Sequence, residues 1–236
     1  MASGHTVKAF DDELDELRAT IAEMGGLAEA AIRESMDALV ARDDAAAAAI
    51  VERDARIDAL ETEVERMAVQ IIALRAPMAD DLRDVIAALK IAGVVERIGD
   101  YAKNIAKRVP SLEDSRIRPI SLLPEMARIA GEMVHNVLDA FAARDADKAL
   151  AVIDRDAAVD DFYNSIFRAL LTHMMENPHN ITPATQLLFV ARNLERIGDH
   201  ATNVAEMVYF ARTGIHLAER VRGADAARIA PGDLGA

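Results

Sequence analysis

Apolar residues recur every seven positions between residues 44 and 75, and a second apolar series lies between them. The first series is Ile50, Ile57, Val64 and Ile71, and the second is Leu60, Met67 and Leu74. A heptad pattern of this kind is typical of the seam of a helical bundle or coiled coil. The segment is therefore predicted to form a long helix that packs lengthwise against its neighbours.

Six long helices are predicted, near residues 6–42, 44–75, 79–109, 122–143, 146–176 and 182–213. The breaks between them carry ordinary helix signals. Asp43 and Asp44 can cap the second helix, Pro77 separates the second from the third, and Asn177-Pro178 separates the fifth from the sixth. Helices of about 30 residues are ~45 Å long, which favours elongated three-helix bundles.

The two halves of the chain are related by internal duplication. Met36-Asp37-Ala38-Leu39 matches Leu138-Asp139-Ala140-Phe141, and Glu96-Arg97-Ile98-Gly99-Asp100 matches Glu195-Arg196-Ile197-Gly198-Asp199. The first match has an offset of 102 residues and the second an offset of 99, so the second repeat is shorter in between. Repetition at this period indicates a duplicated structural unit.

The predicted fold is therefore all-α, with two tandem three-helix bundles related by duplication. The first bundle is placed at 6–110 and the second at 122–214. Residues 111–121, which are polar and flanked by prolines, are predicted to be a linker. Residues 215–236 are predicted to be a flexible tail.

Composition excludes several classes of function. The 236-residue chain has a formal net charge of −13, which lacks the basic footprint of a nucleic-acid-binding protein. It has no cysteine, so disulfides and thiolate metal sites are excluded. Its apolar stretches are far shorter than the ~18 residues that a membrane span needs. We expect a cytoplasmic protein without direct membrane insertion, whose ligands are metal ions or basic surfaces of partner proteins.

The repeated segment sets two carboxylates one helical turn apart, and the middle helix of each repeat carries a second pair at the same spacing. The first repeat has Asp54 and Asp58 with Glu96 and Asp100, and the second has Asp156 and Asp160 with Glu195 and Asp199. Such like-charged pairs destabilise a helix by about 0.2–0.5 kcal/mol each.

In an antiparallel hairpin these pairs lie at matching heights. Asp58 with Glu96 and Asp54 with Asp100 are both centred on Pro77, and the corresponding pairs of the second repeat are centred on the turn at 177–178. Four carboxylates per repeat are thus predicted to converge, and a cation among them would relieve their repulsion. Oxygen ligands favour hard ions such as magnesium, calcium, manganese or ferric iron.

Three other interpretations compete with metal binding by these carboxylates. The acidic residues can form a solvated face, paired with nearby Arg97, Lys103, Arg192 and Arg196. A carboxylate-bridged metalloenzyme is a second alternative, although Glu132-x-x-His135 is one copy of a spacing that such sites use twice. A third is a structural spacer built of spectrin-like bundles. We also predict that His173 is a core histidine, because it lies on the seam of the fifth helix.

Several separated motifs resemble the PhoU family. They are Met24-Gly25-Gly26, the run Arg66 to Pro77 (Arg-Met-Ala-Val-Gln-Ile-Ile-Ala-Leu-Arg-Ala-Pro), Asp81-Leu82-Arg83, Leu138-Asp139-Ala140-Phe141 and the doubled Glu-Arg-Ile-Gly-Asp. The resemblance extends in order over residues 8–213 and includes both repeats. It implies two tandem three-helix bundles in a cytoplasmic, often dimeric protein.

The resemblance also implies a function. It implies a non-enzymatic negative regulator of phosphate import and of the phosphate-starvation two-component response. The implied partners are a PstB-like importer ATPase and a PhoR-like sensor histidine kinase. Family members carry metal ions on Glu/Asp-x-x-x-Asp motifs, which correspond here to the eight acidic residues named above. Magnesium, manganese, iron and zinc are the candidate ions.

Overall fold

The computed structural model describes residues 2–112 and 121–217, and its regular structure within these ranges is entirely helical. The helices are α1 (Ala2–Ala41), α2 (Asp44–Arg53), α3 (Ala55–Arg75), α4 (Asp80–Ala106), α5 (Leu122–Ala143), α6 (Ala146–Ile153), α7 (Asp156–Glu176) and α8 (Ile181–Thr213). Short 3₁₀ turns at Pro110–Leu112 and Pro178–Asn180 accompany them. The all-α class is confirmed, and so are most of the predicted helix positions.

Two helices that were predicted to be continuous are interrupted. The predicted helix 44–75 is divided into α2 and α3 at Asp54, and the predicted helix 146–176 is divided into α6 and α7 at Asp154 and Arg155. At the first break Ile57 donates its backbone N–H to the Asp54 carbonyl at 2.8 Å, which is a 3₁₀-type bond. Both breaks lie at or beside a predicted acidic pair, and local tightening within a helix often marks a functional position.

The short connections that reverse the chain have matching chemistry in the two repeats. Asp43 caps α2 by accepting the backbone N–H of Ala46, and Asp145 caps α6 by accepting those of Asp147 and Lys148. Before each cap, an arginine takes a left-handed backbone conformation, with φ 56° at Arg42 and φ 55° at Arg144. The predicted capping role of Asp43 is confirmed.

Each repeat forms a three-helix bundle. In the first, α1, the α2–α3 pair and α4 pack together, and in the second α5, the α6–α7 pair and α8 do so. Leu17, Ile21 and Met24 of α1 are among the fully buried side chains, as are Leu60 of α3 and Ile91 of α4. Burial of such side chains contributes about 1.5–3 kcal/mol each.

The two bundles also pack against each other, because α4 contacts α8 and α1 contacts α5. Their buried side chains form one continuous apolar cluster. Gly25 of α1 lies so close to Leu138 of α5 that a β-carbon there would collide with the leucine side chain. The Met24-Gly25-Gly26 segment therefore serves close packing between the repeats.

Parts of the predicted domain plan lie outside the described residues, namely 113–120 of the linker and 218–236 of the tail. The prediction that His173 is buried is wrong, because its side chain is 46% exposed and lies near Glu176. None of the described helices is both long and apolar enough to cross a bilayer.

Candidate functional site: two carboxylate patches

The structure brings the predicted acidic pairs of each repeat to one surface between the middle and last helices. We call Asp54, Asp58, Glu96 and Asp100 the first patch, and Asp156, Asp160, Glu195 and Asp199 the second patch. Glycine makes the approach of the helices possible. A β-carbon on Gly99 would lie 3.3 Å from Asp54 Oδ1, and one on Gly198 would lie 3.2 Å from Asp156 Oδ1.

A lysine ammonium joins two members of the first patch. Lys103 Nζ is in direct contact with Asp54 Oδ2 and Asp100 Oδ1. The Asp54 side chain is only 6% exposed and that of Lys103 is 20% exposed, so this contact is largely shielded from water. Burial lowers the pKa of Lys103, but its bonds to Asp100 and Asp54 outweigh that effect and raise the pKa overall. Lys103 therefore remains an ammonium ion.

The rest of the first patch is crowded with negative charge. Burial raises the pKa of Glu96 to about 7, and the charges of Asp100, Glu61 and Asp58 and a hydrogen bond to the Asp100 carboxyl add to this. Burial and the neighbouring Asp54 and Asp100 also raise the pKa of Asp58, against the opposing charge of Lys103. Asp58 thus lies within electrostatic range of Asp54, Glu96 and Asp100.

Glu61 of α3 is an acidic neighbour that the sequence analysis missed. Its pKa is raised by burial and by Glu65, Asp58 and Asp100, against the effect of Arg97. The Glu61 carboxylate faces Gly93, where a β-carbon would lie 3.2 Å from Oε1. A signal for Glu61 was present, because it follows Asp58 by three residues and so shares its helix face.

The second patch differs because Asp156, which lies on the middle helix of the repeat, has no basic partner among the described residues. Asp156 is half-buried, and it makes no hydrogen bond or ion pair with any residue in the described ranges. Burial raises the pKa of Asp156, and the charges of Asp160, Asp199 and Glu195 add to it. Thr202 stands at the repeat position of Lys103, and its hydroxyl donates to the Asp199 backbone carbonyl at 2.7 Å.

The basic residues of the second patch lie at its other end and at its rim. Arg192 contacts Glu195, whose side chain is 14% exposed, and Arg192 Cζ also lies 5.8 Å from the Tyr163 ring centroid. Burial raises the pKa of Glu195, and the charge of Arg192 opposes this. Arg196 Nη1 lies 3.6 Å from Asp199 Oδ2 in an exposed pair. When the two repeats are aligned, Tyr163 occupies the position of Glu61, and Arg192 occupies the position of Gly93.

The donor set of both patches consists of carboxylate oxygens, which suits hard cations. Within residues 2–112 and 121–217, no group of three or more histidine, aspartate or glutamate side chains is arranged to hold a metal ion as it stands. The patches therefore offer carboxylate donors of the right chemical type, but the side chains as placed do not form a metal-binding geometry. The ligand role of the eight residues stays a prediction.

The alternative di-iron spacing finds no support in the local contacts. Glu132 pairs with Arg128 and Arg155, while His135 lies 3.2 Å from Glu29 on α1. Glu29, Arg128, Glu132 and His135 line an open groove between α1 and α5, with a volume of about 340 Å³. A second histidine-containing motif would have to face them to complete a di-iron site, and the described residues provide none.

Comparison with known proteins identifies the duplicated unit. The PhoU domain model matches the chain twice, at residues 21–109 and 123–208. The chain is 60% identical over 223 residues to the phosphate-specific transport system accessory protein PhoU homolog of Zymomonas mobilis subsp. mobilis, covering 94% of both chains. It is 48% identical over 217 residues to the homolog of the same name from Caulobacter vibrioides, covering 90% of this chain and 94% of the relative.

Solved structures agree with the sequence matches. The crystal structure of PhoU from Pseudomonas aeruginosa has a TM-score of 0.83 and 38% identity, covering 87% of this chain and all of its own. The phosphate transport system regulatory protein PhoU from Streptococcus pneumoniae has a TM-score of 0.83 and 28% identity, covering 88% of this chain and 99% of its own. Since both repeats match the family model and the match to curated relatives extends over nearly the whole chain, the protein belongs to the PhoU family.

Proposed function

We propose that this protein is a cytoplasmic, non-enzymatic regulator of phosphate homeostasis that acts through protein contacts. It negatively regulates phosphate import and the phosphate-starvation two-component response. It does so as an adaptor between the ATPase of a phosphate importer and a sensor histidine kinase. The observation that carries this proposal is the near full-length match to relatives named as accessory proteins of phosphate-specific transport systems.

The local chemistry supports an adaptor better than an enzyme. The relatives are named as accessory or regulatory proteins. The two patches consist of carboxylates, with the basic side chains of Lys103, Arg192 and Arg196 in contact with them. Acidic surfaces of this kind attract basic surfaces of partner proteins and accelerate their encounter.

Metal ions enter the proposal as organisers of the patches. A hard cation such as magnesium, manganese or iron would neutralise carboxylates whose pKa is raised by burial and by neighbouring carboxylates, notably Asp156 and Glu195 in the second patch. Such an ion would fix the angle between the middle and last helices of a repeat. The same ion can also bind carboxylates of a partner protein. Separately, we propose that the protein works as a homodimer.

The deciding experiment is a binding assay with the purified importer ATPase and the cytoplasmic part of the sensor kinase. We expect both to bind the full chain in the presence of manganese(II). The variant Glu195→Gln/Asp199→Asn should weaken binding, because it removes two negative charges from the second patch. Failure of both partners to bind, with manganese present, would refute the adaptor function.

A matched control separates a local effect from a change in net charge. Asp11→Asn/Asp12→Asn also removes two negative charges, from exposed positions on α1. We expect this variant to bind both partners like the wild type. In cells, deletion of the gene should raise phosphate uptake and activate the starvation response under phosphate-replete conditions, and the control variant should restore repression while the patch variant should not.

A further inference from the structure

The two patches differ at one position in a way that changes their need for a metal ion. Lys103 lies in the first patch, one turn after Asp100 on α4, and its ammonium contacts Asp54 and Asp100 together. Thr202 occupies the corresponding position after Asp199 on α8. A threonine hydroxyl carries no charge, and this one is turned to the backbone carbonyl of its own helix.

The ammonium in the first patch lies where a cation would bridge the two helices. Asp54 belongs to the junction between α2 and α3, whereas Asp100 belongs to α4, so the lysine joins the same elements that a metal ion would join. The lysine ammonium therefore takes up the position between Asp54 and Asp100 that an ion bound to both carboxylates would need.

The equivalent place in the second patch has no such occupant. Asp156 lies against Gly198 as Asp54 lies against Gly99, so the two carboxylates approach the last helix of their repeats at equivalent positions. Within the described residues Asp156 has no ionic or hydrogen-bonding partner, and Asp199 meets only the exposed Arg196 at 3.6 Å. The basic residue that is in close contact with this patch, Arg192, reaches Glu195 at the opposite end.

We propose that Lys103 is a built-in cation of the first patch, so that Asp54 and Asp100 do not ligate metal and the second patch alone takes a hard divalent cation from solution. The residues that determine this difference are Lys103 and Thr202. The inference rests on the proposed metal binding and is independent of the proposed partners. It departs from the expectation that all eight acidic residues serve alike as ligands.

The test is a count of bound manganese(II) on protein stripped with EDTA, from the electron paramagnetic resonance signal of free aqueous ion and from equilibrium dialysis. The wild type should bind manganese, and Asp156→Asn/Asp199→Asn should abolish this binding. Asp54→Asn/Asp100→Asn should leave it unchanged. Loss of manganese in that variant, or in Glu61→Gln, would overturn the inference while leaving the proposed metal binding intact.

Exchange of the two determining residues gives a sharper readout. Lys103→Thr should add a second manganese ion per chain, and Thr202→Lys should remove the ion that the wild type binds. Lys103→Met also removes the charge but introduces no hydroxyl, and it should likewise allow the first patch to bind manganese. This second variant keeps the test valid if Lys103→Thr misfolds. Unchanged stoichiometry in folded Lys103→Thr and Lys103→Met, judged by circular dichroism, would overturn the inference. If the wild type binds no manganese at all, the proposed metal binding fails and the inference fails with it.

Discussion

Tyr101 of α4 and His200 of α8 occupy the same position in the two repeats and stack on each other, with ring centroids 5.4 Å apart and planes inclined by 22°. His200 Nε2 also lies 3.3 Å from the Tyr101 hydroxyl. Each residue directly follows the last carboxylate of its patch, Asp100 or Asp199. The stacked pair therefore lies between the two patches and joins the two bundles at this point.

The stacked rings are expected to stabilise the interface between the bundles. Tyr101→Ala should lower the free energy of unfolding by about 2 kcal/mol, since it removes a half-buried ring and a stacking contact that adds about 0.5–1.5 kcal/mol. Tyr101→Phe keeps the ring and should cost less than about 1 kcal/mol. Urea denaturation followed by circular dichroism measures both. Equal losses in the two variants would show that the hydroxyl, and not the stack, holds the interface.

The crowding of the first patch predicts a dependence of stability on pH. The pKa of Glu96 in the folded protein is raised to about 7 from an ordinary value of 4.5, mainly by burial. A carboxyl with a raised pKa holds its proton more tightly when folded. Its stabilising contribution is therefore complete below about pH 4.5 and is lost as the pH rises through about 7.

The variant Glu96→Gln mimics the protonated carboxyl and tests this directly. In EDTA, its unfolding free energy should exceed that of the wild type by an amount that grows between pH 5 and pH 8. Glu52→Gln, at an exposed position on α2, controls for the loss of one carboxyl group and should keep a constant offset. If the curves for wild type and Glu96→Gln run parallel over this range, Glu96 does not titrate there.

The parts of the fold that follow from local periodicity could be predicted from the sequence. Heptad spacing and proline positions located the helices. The centring of the acidic pairs on Pro77 correctly predicted that Asp54 and Asp100 lie at matching heights, where both contact Lys103. The interruption at Asp54 could not be predicted in the same way. The backbone of Asp54 remains in the right-handed helical region, so the break is only a shift in hydrogen bonding. No glycine or proline marks it in the sequence.

Contacts between the two repeats were also beyond the sequence analysis. Gly99 lies on the face of α4 that packs against Ile57 of its own bundle. However, α4 also buries Ala87 and Val94, because it packs against α8 in addition to the other helices of its own bundle. The position of the Lys103 ammonium depends on side-chain rotamers, which a sequence pattern does not specify. The sequence spacing could therefore predict where the carboxylates of the site lie, but not where the long side chain of Lys103 places its ammonium group.

Glycine at position 99 is expected to be required for packing, unlike Gly131 of α5. A β-carbon at Gly99 would lie 2.8 Å from Cδ1 of the buried Ile57 and 3.3 Å from Asp54 Oδ1. Overpacking of this kind costs about 1–3 kcal/mol, which exceeds the gain of up to about 1 kcal/mol from replacing a helical glycine by alanine. We therefore expect Gly99→Ala to lower the thermal midpoint.

Gly131 of α5 provides the matched control for this substitution. A β-carbon there meets no atom within 4 Å, so Gly131→Ala should show the helix-propensity gain alone and raise the unfolding free energy by up to about 1 kcal/mol. Differential scanning calorimetry of both variants gives the comparison. If the Gly99→Ala protein is as stable as Gly131→Ala, then the side chains of Ile57 and Asp54 can move aside with no loss of unfolding free energy.

Asp84 is expected to stabilise the contact between the repeats, because it is buried on α4 and forms ion pairs with one arginine from each repeat. Arg18 Nη2 of α1 lies 3.3 Å from Asp84 Oδ2, and Arg144, directly after α5, contacts the same oxygen. Asp84→Asn keeps the shape but removes the charge that both guanidinium groups share. Since hydrogen bonds to charged groups are worth about 1.5–3 kcal/mol, we expect a loss of about 2 kcal/mol in unfolding free energy, measured in urea.

The exposed pair of Asp80 and Arg83 on the same helix is the control for Asp84. The Asp80 side chain is 73% exposed, and Asp80→Asn should cost less than about 1 kcal/mol, an effect that weakens further in salt. The loss in Asp84→Asn should persist in salt, because the Asp84 side chain is only 10% exposed. A double-mutant cycle of Asp84→Asn with Arg144→Gly then isolates the contact that crosses between the repeats. Coupling near zero would mean that Arg18 alone accounts for the stability that Asp84 contributes, and that the first repeat holds this carboxylate without help from the second.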